Sequence, residues 1–105
     1  MKIPYFRFSI AGNEREYLND VLESGWLTSS SKSLALEDSF VSYSGAKYAL
    51  SVNSCTSGLH LALESLGISK GSKVLVPSWT FTASAEVIEY LGAEPVFCDV
   101  NYGTS

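Results

Sequence analysis

Hydrophobic spacing changes from strand-like to helix-like in the middle of the chain. Leu50 and Val52 form a short apolar alternation, which Tyr48 and Ala49 precede, and this is typical of a short buried strand. Residues 53–58 are small, hydroxyl-bearing or turn-forming, and leucines then recur at helical spacing up to Gly67. The apolar positions of this helix are Leu59, Leu61, Ala62, Leu63 and Leu66. The stretch therefore predicts a strand, a loop and a helix in that order.

The residues that follow repeat this alternation of strand and helix. The predicted elements are a strand at 73–76 that stops at Pro77, a helix at 83–91 that closes at Gly92, and a strand at 95–100. Together with the first strand and helix they make two βαβ units, which require a parallel sheet. Ligands of such sheets bind beyond the carboxyl ends of the strands. The loops at 53–57 and 77–82 are therefore the candidate binding loops.

The region before residue 45 is predicted to be mainly helical. Residues 3–10 are expected to be extended, and Asn13 is expected to cap a helix whose acidic first turn suits the helix dipole. The apolar face of that helix consists of Tyr17, Leu18, Val21 and Leu22, and Gly25 ends it. A loop that begins with Trp26 precedes a second helix at 33–44, for which Gly45 is the expected C-cap.

Composition and charge exclude several classes of partner. The chain has 105 residues, enough for at most one small domain, and its net charge of −4 provides no basic stripe for nucleic acid. No apolar run approaches the ~20 residues that span a bilayer, and the N-terminus lacks the apolar region of a signal peptide. Cys55 and Cys98 fit neither a metal-ligand spacing nor a disulfide framework. We therefore expect no metal site, no nucleic acid, no membrane partner and a cytoplasmic location.

The loop at 53–57 is a candidate anion site. A strand that feeds through such a loop into a helix start directs unpaired backbone N–H groups, and the positive end of the helix, at one place. Thr56 and Ser57 could each add a hydroxyl donor. The alternative is that Ser54, Thr56 and Ser57 only cap the helix, as such residues often do. The loop matches neither of the two commonest glycine-rich nucleotide motifs.

Five segments of the chain form a recognisable succession. They are Ser-Gly-Trp-Leu-Thr at 24–28, the end of an acidic-aromatic helix at 40–45, Ser-Cys-Thr leading to His-Leu-Ala-Leu at 54–63, Val-Leu-Val-Pro-Ser-Trp-Thr-Phe at 74–81, and Gly-Ala-Glu-Pro-Val-Phe-Cys-Asp-Val at 92–100. In this order and at these distances they resemble the PLP-dependent sugar aminotransferases of the DegT/DnrJ/EryC1/StrS family. The resemblance covers essentially the whole chain.

The resemblance implies a fold as well as an activity. It implies the N-terminal part of the large domain of a fold-type I PLP-dependent transferase, an α/β domain with a parallel sheet of βαβ units, incomplete here. Residues 1–31 would then be an N-terminal arm, a helix and a substrate-side loop. Residues 32–105 would be the first part of the PLP-binding large domain. In this family the strand at 48–53 does not pair with the next two strands, so it would lack its neighbours here.

The resemblance also assigns three residues to the cofactor pyridoxal 5′-phosphate. Cys55 and Thr56 match the pair that binds the PLP phosphate through backbone N–H groups and a hydroxyl. Phe81 matches the aromatic residue that stacks on the pyridine ring, whereas Trp79 does not lie at that position. His60 is expected to be a packing residue between leucines.

Catalytic residues are expected to be absent. Asp99 corresponds to a strand-end residue and is not the carboxylate that pairs with the pyridine nitrogen. The family's Schiff-base lysine and that carboxylate both belong to segments that match nothing in these residues. The lysines present, none of which is at a matching position, are Lys2, Lys32, Lys47, Lys70 and Lys73. The polypeptide alone is therefore expected not to transaminate, and it is expected to be a fragment, a truncated gene product or one piece of a split enzyme.

The sequence departs from the family pattern at two other places. Cys55 replaces a commoner glycine, and Ser30-Ser31 stands where the family usually has Gly-Pro. For the complete enzyme the resemblance implies a nucleotide-linked keto-sugar, Glu or Gln as amino donor, and a homodimer. Two alternatives stay open: a non-catalytic remnant or interaction module that pairs with a full-length homologue, and a small phosphate- or nucleotide-binding domain unrelated to PLP.

Overall fold

The computed structural model describes residues 3–4 and 6–103 and divides the chain into two compact units, Met1–Ser51 and Val52–Ser105. The first unit contains α1 (Glu14–Ser24) and α2 (Ser31–Ser44). The second contains α3 (Cys55–Ser65), β1 (Lys73–Pro77), α4 (Ala83–Tyr90) and β2 (Glu94–Cys98). Among the described residues, no helix combines the length and the hydropathy that a membrane span requires.

An ion pair joins the two helices of the first unit. Lys32 Nζ, in the first turn of α2, lies 2.8 Å from Asp20 Oδ2 and 4.0 Å from the centre of the Tyr17 ring, both on α1. The same amine therefore makes a salt bridge and a cation–π contact. Gly25 and Gly45 end the two helices as predicted, each with a positive φ that side-chain-bearing residues rarely adopt.

The predicted cap of α1 is wrong in its chemistry. The Asn13 side chain makes no capping hydrogen bond. Instead the Glu14 carboxylate accepts from the backbone N–H groups of Gly12 at 2.8 Å and Ala11 at 3.3 Å. A carboxylate is a stronger acceptor than an amide oxygen, and it also suits the positive end of the helix. The Glu14 carboxylate thus holds the two residues before Asn13 to the start of α1, which is a different contact from the predicted N-cap. Residues 6–11 form neither helix nor strand, and Tyr5 lies outside the described residues.

The second unit is built on one βαβ unit. β1 and β2 pair in parallel from Lys73 opposite Glu94 to Pro77 opposite Cys98. α4 connects them and buries three residues against this sheet, namely Ala83, Val87 and Ile88. Val76, Ile88 and Ala93 form the central cluster, and Leu63, Ile68 and Val74 pack around it. The small core therefore lies between one face of the sheet and helices α3 and α4.

The predicted strand at 48–53 is not formed, and the prediction of two βαβ units is therefore wrong for the residues described. Residues 48–52 belong to no strand. A strand needs a neighbouring strand to satisfy its backbone groups, and the described residues offer this segment none. The N–H of Ser51 donates to the Glu37 carboxylate instead, at 2.8 Å. The apolar alternation is present, but the described residues contain no strand with which this segment could pair.

The central cluster provides a test of the second unit. Ile88 is only 1% exposed, so Ile88→Ala should lower the free energy of unfolding by about 2–5 kcal/mol, the usual cost of removing a buried isoleucine side chain. Urea denaturation followed by circular dichroism measures this change. Glu89→Ala, at the next and exposed position of α4, is the matched control and should leave the midpoint unchanged. Equal midpoints for the two variants would contradict the described core.

The cap of α1 makes a prediction about pH. Hydrogen bonds from the backbone N–H groups of Glu14 itself, Gly12 and Ala11 lower the pKa of Glu14 below its ordinary value of 4.5. Because this pKa is lower in the folded chain than in the unfolded chain, the cap stabilises α1 at pH values above 4.5. That stabilisation is lost as the pH falls through the lowered pKa.

A pH titration monitored by NMR tests this capping arrangement. The amide resonances of Ala11 and Gly12 should shift together with protonation of Glu14, at a pH below 4.5. In Glu14→Gln both amides should lose this titration step. Amides that do not respond in the unmodified chain would rule out the carboxylate cap.

Candidate active site

The carboxyl ends of β1 and β2 stay together beyond the strands. Ser78, which follows β1, donates its N–H to the Cys98 carbonyl at 2.8 Å, and its Oγ lies 3.4 Å from Asp99 Oδ1. Asp99 Oδ1 also accepts from the Val100 N–H at 2.9 Å. Asp99 Oδ1 is thus engaged at its own strand end. These contacts define one edge of the sheet, from which the loop at 78–82 departs.

Helix α3 begins at this same edge. At the opposite, amino edge, the Glu94 N–H donates to the Ser72 carbonyl, and a Cβ placed on Gly92 would lie 3.6 Å from Lys70 Cβ. The turn after α3 and the end of α4 therefore meet at the amino edge. From there α3 packs against α4, and its Leu59 and Leu63 line a shallow apolar groove together with residues of β1 and α4. The first turns of α3 and α4 consequently lie at the carboxyl edge, as the sequence predicted for the two loops.

Hydrogen bonds inside the loop at 53–57 show which side chains cap α3 and which one can contact a ligand. Ser54 Oγ accepts from the Ser57 N–H at 3.1 Å, which is an N-cap. The Ser57 hydroxyl donates to Asn53 Oδ1 at 2.7 Å and lies 2.9 Å from Ser54 Oγ. The capping interpretation therefore holds for Ser54 and Ser57. It leaves Thr56, half-buried and outside this network, as the residue with a hydroxyl to offer.

Two backbone donors remain at the start of α3. The first bond of the helical ladder runs from the Gly58 N–H to the Ser54 carbonyl, so the N–H groups of Cys55, Thr56 and Ser57 precede the ladder. Ser57 is satisfied by the cap, which leaves Cys55 and Thr56. Two N–H groups, a hydroxyl and the positive end of a helix are a donor set that suits a phosphate.

Asn53 was not predicted to take part in the hydrogen bonds of this loop. Its side-chain carbonyl accepts from both Ser57 at 2.7 Å and, more weakly, Ser54 at 3.4 Å, so it holds both capping hydroxyls. An Asn directly before a capping serine is a signal that could have indicated this role. Glu37, whose carboxylate accepts from Ser51, was likewise not predicted to have a role.

The loop at 78–82 presents an aromatic ring. Phe81 is 78% exposed, although its carbonyl accepts from the Ser84 N–H and so begins α4. The Thr80 and Ser84 hydroxyls lie 3.0 Å apart and tie the loop to the helix. Trp79, at 79% exposed, is equally uncovered. A fixed backbone with an open ring face is suitable for stacking against a flat ligand.

Charged groups and thiols add little to the ligand-binding chemistry of the carboxyl edge. Lys73 pairs with Glu94 at the amino edge, with 3.2 Å between Nζ and Oε2, and Lys70 lies beside Gly92 there. His60, on α3, packs near the Tyr90 ring with 5.8 Å between ring centroids, as expected of a packing residue. Cys55 and Cys98 are both exposed free thiols. Within residues 3–4 and 6–103, no cluster of metal-ligating side chains suits an ion.

Comparison with known proteins identifies relatives over nearly the whole chain. The model of the DegT/DnrJ/EryC1/StrS aminotransferase family matches residues 9–105. GDP-perosamine synthase of Vibrio cholerae is 42% identical over 99 residues, which cover 93% of this chain and 27% of that protein. UDP-4-amino-4-deoxy-L-arabinose–oxoglutarate aminotransferase of Shewanella sediminis is also 42% identical over 99 residues, covering 94% of this chain and 26% of that protein.

A solved structure gives the same picture of the fold. Spr1654 of Streptococcus pneumoniae, assigned as a sugar aminotransferase and solved in its PLP form, superposes with a TM-score of 0.90 at 36% identity. The match covers 99% of this chain and 26% of that one. The chain thus has the fold of part of an aminotransferase, as the sequence predicted, and it spans about a quarter of the length of the relatives it matches.

Proposed function

The chain belongs to the DegT/DnrJ/EryC1/StrS aminotransferase family, and we propose that it supplies the phosphate-binding loop and the ring-stacking residue of a PLP-dependent sugar aminotransferase. One observation carries this proposal: the open first turn of α3 and the exposed ring of Phe81 lie at the same carboxyl edge of the sheet. Membership in the family supports a PLP site over the alternative of a nucleotide-binding domain unrelated to PLP.

The phosphate contacts are assigned to Cys55 and Thr56. Their N–H groups precede the helical ladder, and the Thr56 hydroxyl lies outside the Asn53–Ser54–Ser57 network. The helix end supplies partial positive charge, so the loop can hold a phosphate without a lysine or arginine. The side chain of Cys55 does not hinder this role, since Cys55 contributes through its backbone.

Phe81 is assigned to one face of the pyridine ring. An aromatic side chain holds a flat heterocycle by stacking and by excluding water from that face. When bound, PLP supplies the electron sink that stabilises charge at the substrate carbon. These residues bind and orient the group, and we assign proton transfer to none of them. Lys70 and Lys73 lie at the opposite edge, so we propose that the 105 residues alone do not transaminate.

The substrate is proposed to be a nucleotide-linked keto-sugar, in the biosynthesis of amino sugars and polysaccharides. Both curated relatives carry amino sugars in their names, one attached to GDP and the other to UDP. The second name also includes oxoglutarate, the keto acid formed when glutamate gives up its amino group. It supports Glu over Gln as the amino donor. A homodimer in the cytoplasm remains part of the proposal for the complete protein.

Binding of a cofactor analogue tests the assignment of Thr56. Pyridoxine 5′-phosphate has the ring and phosphate of PLP but no aldehyde, so it cannot react with lysines. Calorimetric titration should show that Thr56→Ala weakens its binding about tenfold or more, the cost of one hydrogen bond to a charged group. Pyridoxine, which lacks the phosphate, should bind both forms equally. Ser65→Ala, at the far end of α3, is the control, and an equal loss there would contradict the assignment.

The assignment of Phe81 is tested by comparing it with its neighbour. Phe81→Leu should weaken pyridoxine 5′-phosphate about twofold to tenfold, because a stacked ring contributes about 0.5–1.5 kcal/mol beyond its area. Trp79→Leu removes an equally exposed ring from the same loop and should leave the affinity unchanged. A larger loss with Trp79→Leu would transfer the stacking role to that residue.

A second candidate function is an interaction module that pairs with a full-length homologue. It is favoured by the exposure of Trp26 and Leu27, at 61% and 72%, in a loop held by a hydrogen bond from Trp26 Nε1 to the Ser29 carbonyl at 3.0 Å. An ordered loop with exposed apolar side chains is typical of an interface. This function requires no cofactor.

Mixing experiments separate the two functions. A module that pairs with a homologue should co-elute with a purified full-length family member on size-exclusion chromatography. Trp26→Ser with Leu27→Ser should abolish that co-elution while leaving pyridoxine 5′-phosphate binding intact. Separate elution of the unmodified chain and the homologue would count against the interaction module.

A further inference from the structure

Two hydroxyl groups lie on either side of Phe81 along the chain and contact each other. Thr80, directly before Phe81, and Ser84, in the first turn of α4, lie 3.0 Å apart between Oγ1 and Oγ, so one hydroxyl donates to the other. The Ser84 N–H also donates to the Phe81 carbonyl at 3.0 Å. The side-chain contact and the backbone contact together close the segment 80–84 around Phe81.

The hydroxyl pair joins the loop to a helix start that has no side-chain cap. Thr82 is the N-cap residue of α4, but its side chain makes no capping hydrogen bond. Its carbonyl accepts from the N–H groups of Ala85 and Glu86, both at 3.0 Å, which fixes the backbone after Phe81. Ser84 is half-buried, and a hydroxyl that is partly shielded from water needs a hydrogen-bond partner. Thr80 provides that partner.

The other end of the loop is fixed by the sheet. Ser78 donates its N–H to the Cys98 carbonyl at 2.8 Å, so the chain is held at Ser78 by the end of β2 and from Phe81 onward by α4. The Phe81 ring itself is largely exposed. Its position therefore depends on the backbone that carries it more than on side chains packed around it.

We propose that Thr80 is a positioning residue, whose hydrogen bond with Ser84 holds Phe81 where its ring can stack on the cofactor. The inference rests on the proposed function, in which Phe81 is the stacking residue. A segment that is ordered before the ligand arrives loses less conformational freedom on binding, and this raises the affinity. Because the hydrogen bond acts through the ring, its loss weakens binding by no more than the loss of the ring does.

The first test needs no ligand. Thr80→Val replaces the hydroxyl by a methyl group and should lower the NMR order parameters of the Phe81 and Thr82 amides, because the segment is no longer closed by its side chains. Thr80→Ser keeps a hydroxyl and should restore them. Thr82→Val makes the same chemical change at a side chain without a capping hydrogen bond, so it is the matched control and should leave the Phe81 amide unchanged. The Ser78 amide should be unchanged in all three variants.

Binding then shows whether this ordering reaches the ring. In calorimetric titrations Thr80→Val should weaken pyridoxine 5′-phosphate about twofold to fivefold, within the loss expected for Phe81→Leu, and Thr80→Ser less than about twofold. Pyridoxine should lose affinity by the same factor, because both ligands share the stacked ring. When Thr80→Val is added to Phe81→Leu, it should change neither affinity further, whereas a general loss of folding would still weaken binding in that double variant.

The outcomes separate this inference from the proposed function. If the unmodified chain does not bind pyridoxine 5′-phosphate, the proposed function is wrong, and the order parameters still decide whether Thr80 holds Phe81 in place. In a chain that binds, unchanged order parameters or unchanged affinities in Thr80→Val would show that Thr80 does not position the ring. The same conclusion follows if Thr80→Ser behaves like Thr80→Val, or if Thr80→Val weakens binding equally with and without the Phe81 ring.

Discussion

The parallel ladder between β1 and β2, held by α4, is the feature on which the second unit depends. Ile88 of α4 and Val76 of β1 are nearly inaccessible to solvent, and they pack the helix against the sheet. The crossover helix must return to the amino edge before the second strand can start, so the ladder gives the unit a defined direction. With that direction fixed, every loop that follows a strand emerges at one edge. The placement of Phe81 at this edge is a consequence of this strand pairing, whereas no strand precedes α3 among the described residues.

The success of each prediction depended on whether the partner of an element was present in the chain. β1, α4 and β2 were predicted within two residues at each end, because each packs against another of the three. The strand at 48–53 was predicted from the alternation of Leu50 and Val52 and did not form. Alternation reports which face would be buried, not whether a neighbouring strand exists. The cap of α1 shows a second limit, because Asn13 and Glu14 were both suitable acceptors and the sequence did not say which one would bend back to Ala11 and Gly12.

The residue types that make up the candidate site could be predicted from the sequence, but the hydrogen bonds between them could not. Residue types alone indicated a helix start rich in hydroxyls, and the family resemblance selected Cys55, Thr56 and Phe81. Which hydroxyl was available could be decided only from hydrogen bonds, since Ser54 and Ser57 are engaged with each other and with Asn53. The contact from Glu37 to Ser51 was beyond local reasoning, because it links residues whose separation along the chain carries no signal.

The sheet of the second unit is covered on one face by the residues that the structure describes. Parallel sheets are usually covered on both faces, and here α3 and α4 lie on the face that carries Val74 and Val76. Leu75 points to the other face and is 74% exposed. An uncovered apolar face with two free edges favours association. The chain spans about a quarter of the length of the relatives it matches, and the residues that the structure describes bury only one face of this sheet.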